Sequence, residues 1–193
     1  GIPTFRGTDP DAIWHKDVTE LGTRRYFLSD PVGSWKWYLH RFQSLEGKQP
    51  NAGHLALAAM EQRLPKLLLI TQNIDCLHEQ AGSKRMIKVH GSADRMRCSQ
   101  QGCGNGSPKG TLHRNPTLER AFLDNPSLDT VPRCPLCRSL LRPHVLWFDE
   151  YYTEHESYRF QSAMTAASLC ELMIFIGTSF SVGLTAGFLA EAE

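Results

Sequence analysis

Apolar and polar residues follow one another along this chain in blocks that fit alternating helices and short strands. Between Asn51 and Pro65 apolar residues recur with a 3.6-residue period, which predicts a helix capped by Asn51. Short continuous apolar runs predict buried strands, because they are too short for helices and end at polar or turn residues. These runs lie at 67–70, 86–89, 145–148 and 172–176.

Strands that alternate with helices predict an α/β fold, a Rossmann-like, doubly wound parallel sheet. Further helices are expected at 8–50, 76–80 and 157–168. Residues 92–142 break the alternation with cysteines, glycines and prolines, so we expect a small module inserted into the sheet domain. The predicted division is a Rossmann-like domain over 1–91 and 143–193, with its helical segment at about 8–50, and the module over 92–142.

Four cysteines in the module stand in two close pairs. Cys98 and Cys103 form one pair and Cys134 and Cys137 the other, with 30 residues between the pairs. Two such pairs can complete a tetrahedral four-thiolate site, which is typical of zinc. Because four protein ligands leave no open position, we predict one structural zinc ion that stabilises a module with little core of its own.

Composition excludes several classes of partner. The chain carries 21 Lys and Arg against 20 Asp and Glu, so no strong field attracts nucleic acid or an anionic membrane. No apolar run approaches the roughly 20 residues that span a bilayer, and no export signal opens the chain. We therefore expect a soluble, cytoplasmic protein. A zinc-ribbon module that binds nucleic acid stays a distant alternative, since its basic residues are scattered: Arg95, Arg97, Lys109, Arg114 and Arg133.

Polar residues follow two of the predicted strands directly. Gln72, Asn73 and Asp75 come after the strand at 67–70, and His90 comes after the strand at 86–89. Open α/β sheets bind ligands at the carboxyl ends of their strands, and an imidazole is a suitable base near neutral pH. From the residues alone, Gln72 to Asp75 could also be a simple polar turn with a helix cap.

Five motifs, in order and spacing, resemble those of sirtuins, the NAD-dependent protein-lysine deacylases. They are Gly-Ile-Pro-Thr-Phe-Arg at 1–6, Gln-Asn-Ile-Asp at 72–75, His90-Gly91, the paired cysteines, and Gly-Thr-Ser at 177–179. In the family a first strand and a Gly-Ala-Gly loop precede the first motif, and an Asn-containing segment follows the last. The resemblance therefore implies a partial chain of a longer sirtuin.

The resemblance also implies roles for individual residues. His90 would be the general base, and Asn73 would orient the ribose or a bound water. The residues implied to contact NAD are Phe5, Arg6, Gln72, Asn73, Ile74, Asp75, Gly177, Thr178 and Ser179. Leu146, Trp147 and Phe148 would frame the acyl-lysine of a protein or peptide substrate, beside Asp149, where the family usually has Gly.

Tyr38 and Arg41 stand three residues apart and are expected to share one helix face. They resemble the pair with which desuccinylase-type sirtuins hold an acidic acyl chain, and a phenol with a guanidinium can bind a carboxylate. The implied reaction yields free lysine, nicotinamide and O-acyl-ADP-ribose from acetyl-, succinyl- or malonyl-lysine. A mono-ADP-ribosyltransferase remains the alternative, because a protein nucleophile could capture the same ribose carbon.

Overall fold

The computed structural model describes residues 18–178, 180 and 183–192. Phe5, Arg6 and Ser179, three of the residues implied to contact NAD, lie outside this part of the chain. Three helices open it, in the segment where helices are expected: α1 (Val18–Leu21), α2 (Arg24–Ser29) and α3 (Pro31–Gln43).

The caps of these helices follow from their sequence. The Thr23 hydroxyl accepts a hydrogen bond from the Tyr26 N–H at the start of α2. The Asp30 carboxylate accepts one from the Gly33 N–H at the start of α3, where Pro31 occupies the first helical turn.

The fourth helix confirms the periodicity between Asn51 and Pro65. It is α4 (Ala52–Arg63), and the Asn51 side chain caps it by accepting a hydrogen bond from the His54 N–H. After it come β1 (Leu69–Thr71), the short helix α5 (Leu77–Gln80) and β2 (Met86–Lys88). β1 and β2 pair in parallel, with Ile70 opposite Ile87, so the parallel α/β class is confirmed.

The segment that holds the four paired cysteines forms an antiparallel sheet with one helix. Its elements are β3 (Gly91–Cys98), β4 (Leu112–His113), α6 (Pro116–Asp124) and β5 (Leu141–Val145), and β3 lies between β4 and β5. The helices α1 to α3 share one hydrophobic core with this sheet, in which Trp35, Phe42, Met96 and Phe122 are buried together. The Trp35 indole N–H donates to the Leu141 carbonyl at 2.9 Å, which ties α3 to β5.

A second, smaller core supports the parallel strands. The chain returns through short 3₁₀ turns at Tyr152–Glu154 and Glu156–Tyr158 to α7 (Phe160–Leu169) and α8 (Gly183–Ala192). Apolar residues of both helices pack on β2 and on the residue after it: Ile87, Val89, Ala163, Ala167, Leu184 and Phe188.

Two predicted strands differ from the structure. The strand expected at 145–148 is β5, which lies earlier and ends at Val145, because the Trp147 N–H turns towards the Glu150 carboxylate. Residues 172–176 pair with no other strand in the described part of the chain. Met173 and Phe175 pack on the second core, whereas Leu172, Ile174 and Ile176 remain more than 60% exposed. An apolar run forms a strand only where a neighbouring backbone completes its hydrogen bonds.

Candidate active site

The two parallel strands bring the predicted polar residues to one edge. The Val89 N–H donates to the Thr71 carbonyl at 3.1 Å, which extends the pairing of β1 and β2 to the residue before His90. Gln72 follows β1 directly, and His90 comes two residues after β2. Gln72 and His90 therefore lie beside each other at the carboxyl ends of these strands, where open α/β sheets bind ligands.

The His90 ring is hydrogen-bonded through both nitrogens. Nδ1 lies 2.9 Å from the Gln72 carbonyl oxygen, and Nε2 lies 3.0 Å from the Tyr152 hydroxyl. A carbonyl oxygen only accepts, so Nδ1 carries the proton and Nε2 presents its lone pair. Burial lowers the pKa of His90, and the bond to the Gln72 carbonyl offsets this only in part. At neutral pH the ring is therefore uncharged and ready to accept a proton at Nε2.

The backbone conformation and the close packing at position 91 require a glycine after His90. The φ of Gly91 is +83°, a conformation that L side chains rarely adopt, and an added Cβ would overlap the carbonyl oxygen of His144. On the other side of the chain, the His90 carbonyl accepts a hydrogen bond from the Leu146 N–H at 2.9 Å. The close approach to the segment from His144 to Leu146 fixes the backbone at His90.

Gln72 and Thr178, both implied to contact NAD, are linked through a residue that the sequence did not single out. The Gln72 side-chain amide donates to the Thr185 hydroxyl at 2.8 Å, and the hydroxyls of Thr185 and Thr178 lie 3.4 Å apart. Thr185 is buried on α8, and its hydroxyl lies between these two groups. An isolated Thr on an apolar helix carries no sequence signal for such a role.

The other residues of the 72–75 motif occupy different environments. The Asn73 carboxamide is exposed and makes no hydrogen bond to a described residue, so it is available to a ligand. Ile74 is buried, and its carbonyl accepts from the Ala93 N–H at 2.7 Å. One oxygen of Asp75 accepts from the Leu77 N–H at 3.0 Å at the start of α5, which leaves the other oxygen open.

Tyr152 contacts the predicted base, although no sequence motif identified it. Its ring stacks on Phe160 with centroids 4.8 Å apart and lies 5.8 Å from the His90 ring. Burial raises the pKa of the Tyr152 phenol, so the hydroxyl is protonated at neutral pH and donates to Nε2 of His90. The sequence offers only a pair of tyrosines after Glu150, and nothing there distinguishes Tyr152 from Tyr151.

A buried carboxylate shapes the loop that carries Leu146, Trp147 and Phe148. Glu150 accepts hydrogen bonds from the Trp147 N–H at 3.1 Å, from Arg142 and from Arg97. Burial alone would raise the pKa of Glu150, but the two guanidinium groups and the backbone N–H more than offset it, so the pKa lies below its ordinary value. Glu150 is therefore charged, and its hydrogen bonds to Trp147 and Arg142 hold the loop against β5.

The three loop residues are placed differently from one another. Trp147 is only 2% exposed and packs in the core against Phe27 and beneath the Arg142 guanidinium. Leu146 is half-buried and Phe148 is 45% exposed, so these two can face a ligand more readily.

Asp149, where the family usually has Gly, is turned towards α2. Its two carboxylate oxygens accept hydrogen bonds from the backbone N–H groups of Arg24 and Arg25, at 2.7 and 3.0 Å. The side chain therefore fastens the loop to the start of this helix.

Tyr38 and Arg41 lie together on α3, as the spacing predicts. Tyr38 is 2% exposed and packs against Phe42 and Trp147. Burial raises the pKa of Tyr38, which the neighbouring charge of Arg41 partly offsets. Burial lowers the pKa of Arg41 to about 10, and its guanidinium lies 5.7 Å from the Trp37 ring centroid. At neutral pH this is a charged guanidinium beside a neutral phenol.

The four paired cysteines converge on one point, as the spacing predicts. Their sulfur atoms all lie within 4.8 Å of one another, with Cys98 to Cys137 at 3.4 Å and Cys103 to Cys134 at 3.7 Å. A tetrahedron with Zn–S bonds of ~2.3 Å has S–S edges of ~3.8 Å, so the donor set fits one zinc ion. Hydrogen bonds from Ser139, followed by the bond to Cys98, lower the pKa of the Cys137 thiol to about 6.

Comparisons with known proteins agree with this geometry. The sequence profile described as the Sir2 family matches residues 1–183. An NAD-dependent protein deacylase of Leptospira interrogans is 38% identical over 185 residues, which cover 95% of this chain and 68% of the relative. A Sir2 homologue in complex with NAD is 35% identical and superposes with a TM-score of 0.78 over 99% of this chain and 67% of that chain. A Sir2 protein bound to a propionylated peptide is 26% identical, with a TM-score of 0.74 over 95% of this chain and 71% of that one.

The chain is shorter than the proteins it resembles. It spans about two thirds of the Leptospira relative, and it spans between 56% and 66% of the length of several other deacylase relatives. Among the helices that the structure describes, none combines the length and the apolar character that a bilayer crossing requires.

Proposed function

Because the chain belongs to the Sir2 family of sirtuin-type, NAD-dependent protein deacylases, we propose that its protein removes acyl groups from lysine side chains and consumes NAD. The acyl groups are acetyl and also succinyl or malonyl. Acyl-lysine, NAD and water give free lysine, nicotinamide and O-acyl-ADP-ribose. The observation that carries the proposal is the uncharged His90 at the edge of the parallel strands, where the Gln72 carbonyl holds the Nδ1 proton and leaves the lone pair on Nε2.

His90 acts as the general base. NAD supplies the electrophile, the ribose carbon that bears nicotinamide. The acyl oxygen of the substrate lysine attacks that carbon as the bond to nicotinamide breaks. His90 then removes the proton of the neighbouring ribose hydroxyl, so that this oxygen can attack the acyl carbon. The Gln72 carbonyl holds the Nδ1 proton in place, which keeps the accepting lone pair on Nε2.

The residues around His90 suit a polar cosubstrate. The Asn73 carboxamide and the second oxygen of Asp75 are open to the ribose and to the nicotinamide carboxamide, and Ile74 forms an apolar wall. Gln72 and Thr178 are held together by Thr185. We assign the remaining NAD contacts to Gly177 and to three residues outside the described part: Phe5, Arg6 and Ser179.

The acyl chain is bound between the loop after β5 and α3. Leu146 and Phe148 contact the lysine side chain, and Trp147 supports them from the core. Tyr38 and Arg41 bind the terminal carboxylate of succinyl or malonyl groups. The charged, half-buried Arg41 supports this assignment, because a guanidinium in a low-dielectric setting binds a carboxylate more strongly than it does in water.

The zinc ion is structural, since all four ligand positions belong to cysteines. Free thiols outside this cluster agree with a reducing, cytoplasmic setting. Nucleic acid is not among the proposed partners, because the basic residues of the module are scattered and three of them pair with carboxylates of the protein. Arg97 pairs with Glu150, Arg114 with Glu119, and Lys109 with Glu156.

Product identification tests the proposal. Acetylated and succinylated peptides are incubated with NAD and the protein, and the mixture is analysed by mass spectrometry. Free lysine, nicotinamide and O-acyl-ADP-ribose in equal amounts are the expected result. ADP-ribose attached to the peptide or to the protein, with the acyl group retained, would favour the mono-ADP-ribosyltransferase and reject deacylation.

A further inference from the structure

The Tyr152 hydroxyl occupies the lone pair with which His90 has to act as a base. Nδ1 of His90 donates to the Gln72 carbonyl, and an imidazole then has a single accepting lone pair, on Nε2. The Tyr152 oxygen lies 3.0 Å from this atom. A proton from a substrate hydroxyl can therefore reach His90 only after Tyr152 has left, or through Tyr152 itself.

Packing holds Tyr152 in this position. Its ring lies parallel to the Phe160 ring within 19° at 4.8 Å, and it stacks on His90 within 28°. Tyr152 and Phe160 both pack against the core formed by β2 and α7. Displacing the phenol would expose apolar surface of both rings, so transfer through the hydroxyl is the less costly route.

We propose that Tyr152 relays the proton from the ribose hydroxyl to His90, a role that rests on the deacylase function proposed above. The ribose O–H bond breaks as its proton passes to the Tyr152 oxygen. The Tyr152 O–H bond breaks as its own proton passes to Nε2 of His90. Tyr152 ends neutral, His90 ends with one positive charge, and the ribose oxygen is free to attack the acyl carbon.

The chemistry of a phenol suits this role. A phenolic hydroxyl donates one hydrogen bond and accepts another at the same time, so it can bridge the ribose and His90. Burial raises the pKa of Tyr152, which keeps the hydroxyl protonated before the reaction. Among the described residues, the hydrogen-bond partners of the His90 ring are the Gln72 carbonyl and Tyr152.

The kinetic test compares Tyr152→Phe with the control Tyr151→Phe. Tyr151 is the adjacent residue and is 76% exposed, so its hydroxyl has no part in the site. We expect Tyr152→Phe to keep peptide-dependent exchange of labelled nicotinamide into NAD, which precedes the proton transfer. Formation of O-acyl-ADP-ribose should fall about 10²-fold, the lower end of the range for general acid–base catalysis. Tyr151→Phe should match the wild-type protein in both measurements.

A second measurement does not depend on activity. Donation from Tyr152 to Nε2 stabilises the neutral ring, so its loss should raise the pKa of His90 by up to about one unit in Tyr152→Phe. The pKa should be unchanged in Tyr151→Phe. Nitrogen-15 NMR titration of the labelled histidines, with His90 assigned by substitution, gives both values.

Several results would overturn the relay. A Tyr152→Phe protein that forms product at the wild-type rate or faster would show that the tyrosine only blocks the base. Equal losses in nicotinamide exchange and in product formation would show a structural role. An unchanged His90 pKa would show that the hydrogen bond is not made. If the wild-type protein formed no O-acyl-ADP-ribose, the proposed function would fail and the relay with it, whereas failure in the variant alone rejects only the relay.

Discussion

Glu150 is expected to be a costly charge to remove from this protein. Its side chain is 4% exposed, and the Arg97 and Arg142 side chains that it pairs with are 2% and 4% exposed. Replacement by Gln keeps the shape and one accepting oxygen, but it removes the carboxylate charge to which both buried guanidinium groups are hydrogen-bonded. Removing one partner of a buried ion pair costs about 3–5 kcal/mol, so we expect Glu150→Gln to lower the free energy of unfolding by about 3 kcal/mol or more.

Urea unfolding of the wild-type protein and of the variant measures this difference. A matched control is Glu156→Gln, because Glu156 forms an exposed pair with Lys109 at 3.5 Å. An exposed pair contributes about 0–1 kcal/mol, so the control should unfold close to the wild-type midpoint. A loss below about 1 kcal/mol in Glu150→Gln, or equal losses in both variants, would refute the argument that the buried carboxylate holds the loop.

The pH dependence of the difference in unfolding free energy between wild type and Glu150→Gln tests whether the charged carboxylate stabilises the folded state. The pKa of Glu150 lies below its ordinary value near 4.5, so the folded state favours the charged carboxylate. Its contribution is therefore fully present above the unfolded pKa and is lost as the pH falls through the folded pKa. The gap between wild type and Glu150→Gln should stay constant from pH 7 to pH 5 and narrow below about pH 4.

Three further predictions address the metal, the acyl group and the backbone at the site. Cys134→Ser should reduce bound zinc from about one ion per chain to near zero by elemental analysis, whereas Cys170→Ser, outside the cluster, should keep it; equal zinc in both would reject the four-thiolate site. Arg41→Met should impair removal of succinyl far more than removal of acetyl in peptide assays, and equal losses would reject the carboxylate contact. Gly91→Ala should destabilise the protein more than Gly82→Ala does. Both glycines have a positive φ, which costs an alanine about 1–2 kcal/mol, but of the two only Gly91 lacks space for a Cβ. Similar denaturation midpoints for the two variants would contradict this.

The sequence predicted those features that depend on residues close together in the chain, such as helix caps and paired metal ligands. Asn51 and the 3.6-residue period predicted α4, and the cysteine spacing predicted the four-thiolate cluster. The order of strands and polar residues predicted that Gln72 and His90 lie after their strands, at the carboxyl ends where open α/β sheets bind ligands. The division into a domain over 1–91 and 143–193 and a module over 92–142 stays a prediction.

The features that were missed depend on contacts between distant segments. The strand expected at 145–148 is displaced because Glu150, Arg97 and Arg142 meet only in the folded chain. Residues 172–176 have the apolar pattern of a strand, but a strand also requires a partner, and the pattern cannot supply one. Thr185 and Tyr152 reach the site from α8 and from a 3₁₀ turn, and no local motif marks either of them.

The most direct test of the account is the rate at which a His90→Asn protein forms O-acyl-ADP-ribose from NAD and an acylated peptide. The Asn amide can still donate to the Gln72 carbonyl, but it cannot accept a proton at neutral pH. With zinc content and unfolding midpoint equal to those of the wild type, the account predicts a rate lower by about 10²–10⁴-fold. A His90→Asn protein that formed O-acyl-ADP-ribose within a few fold of the wild-type rate would contradict the assignment of His90 as the base.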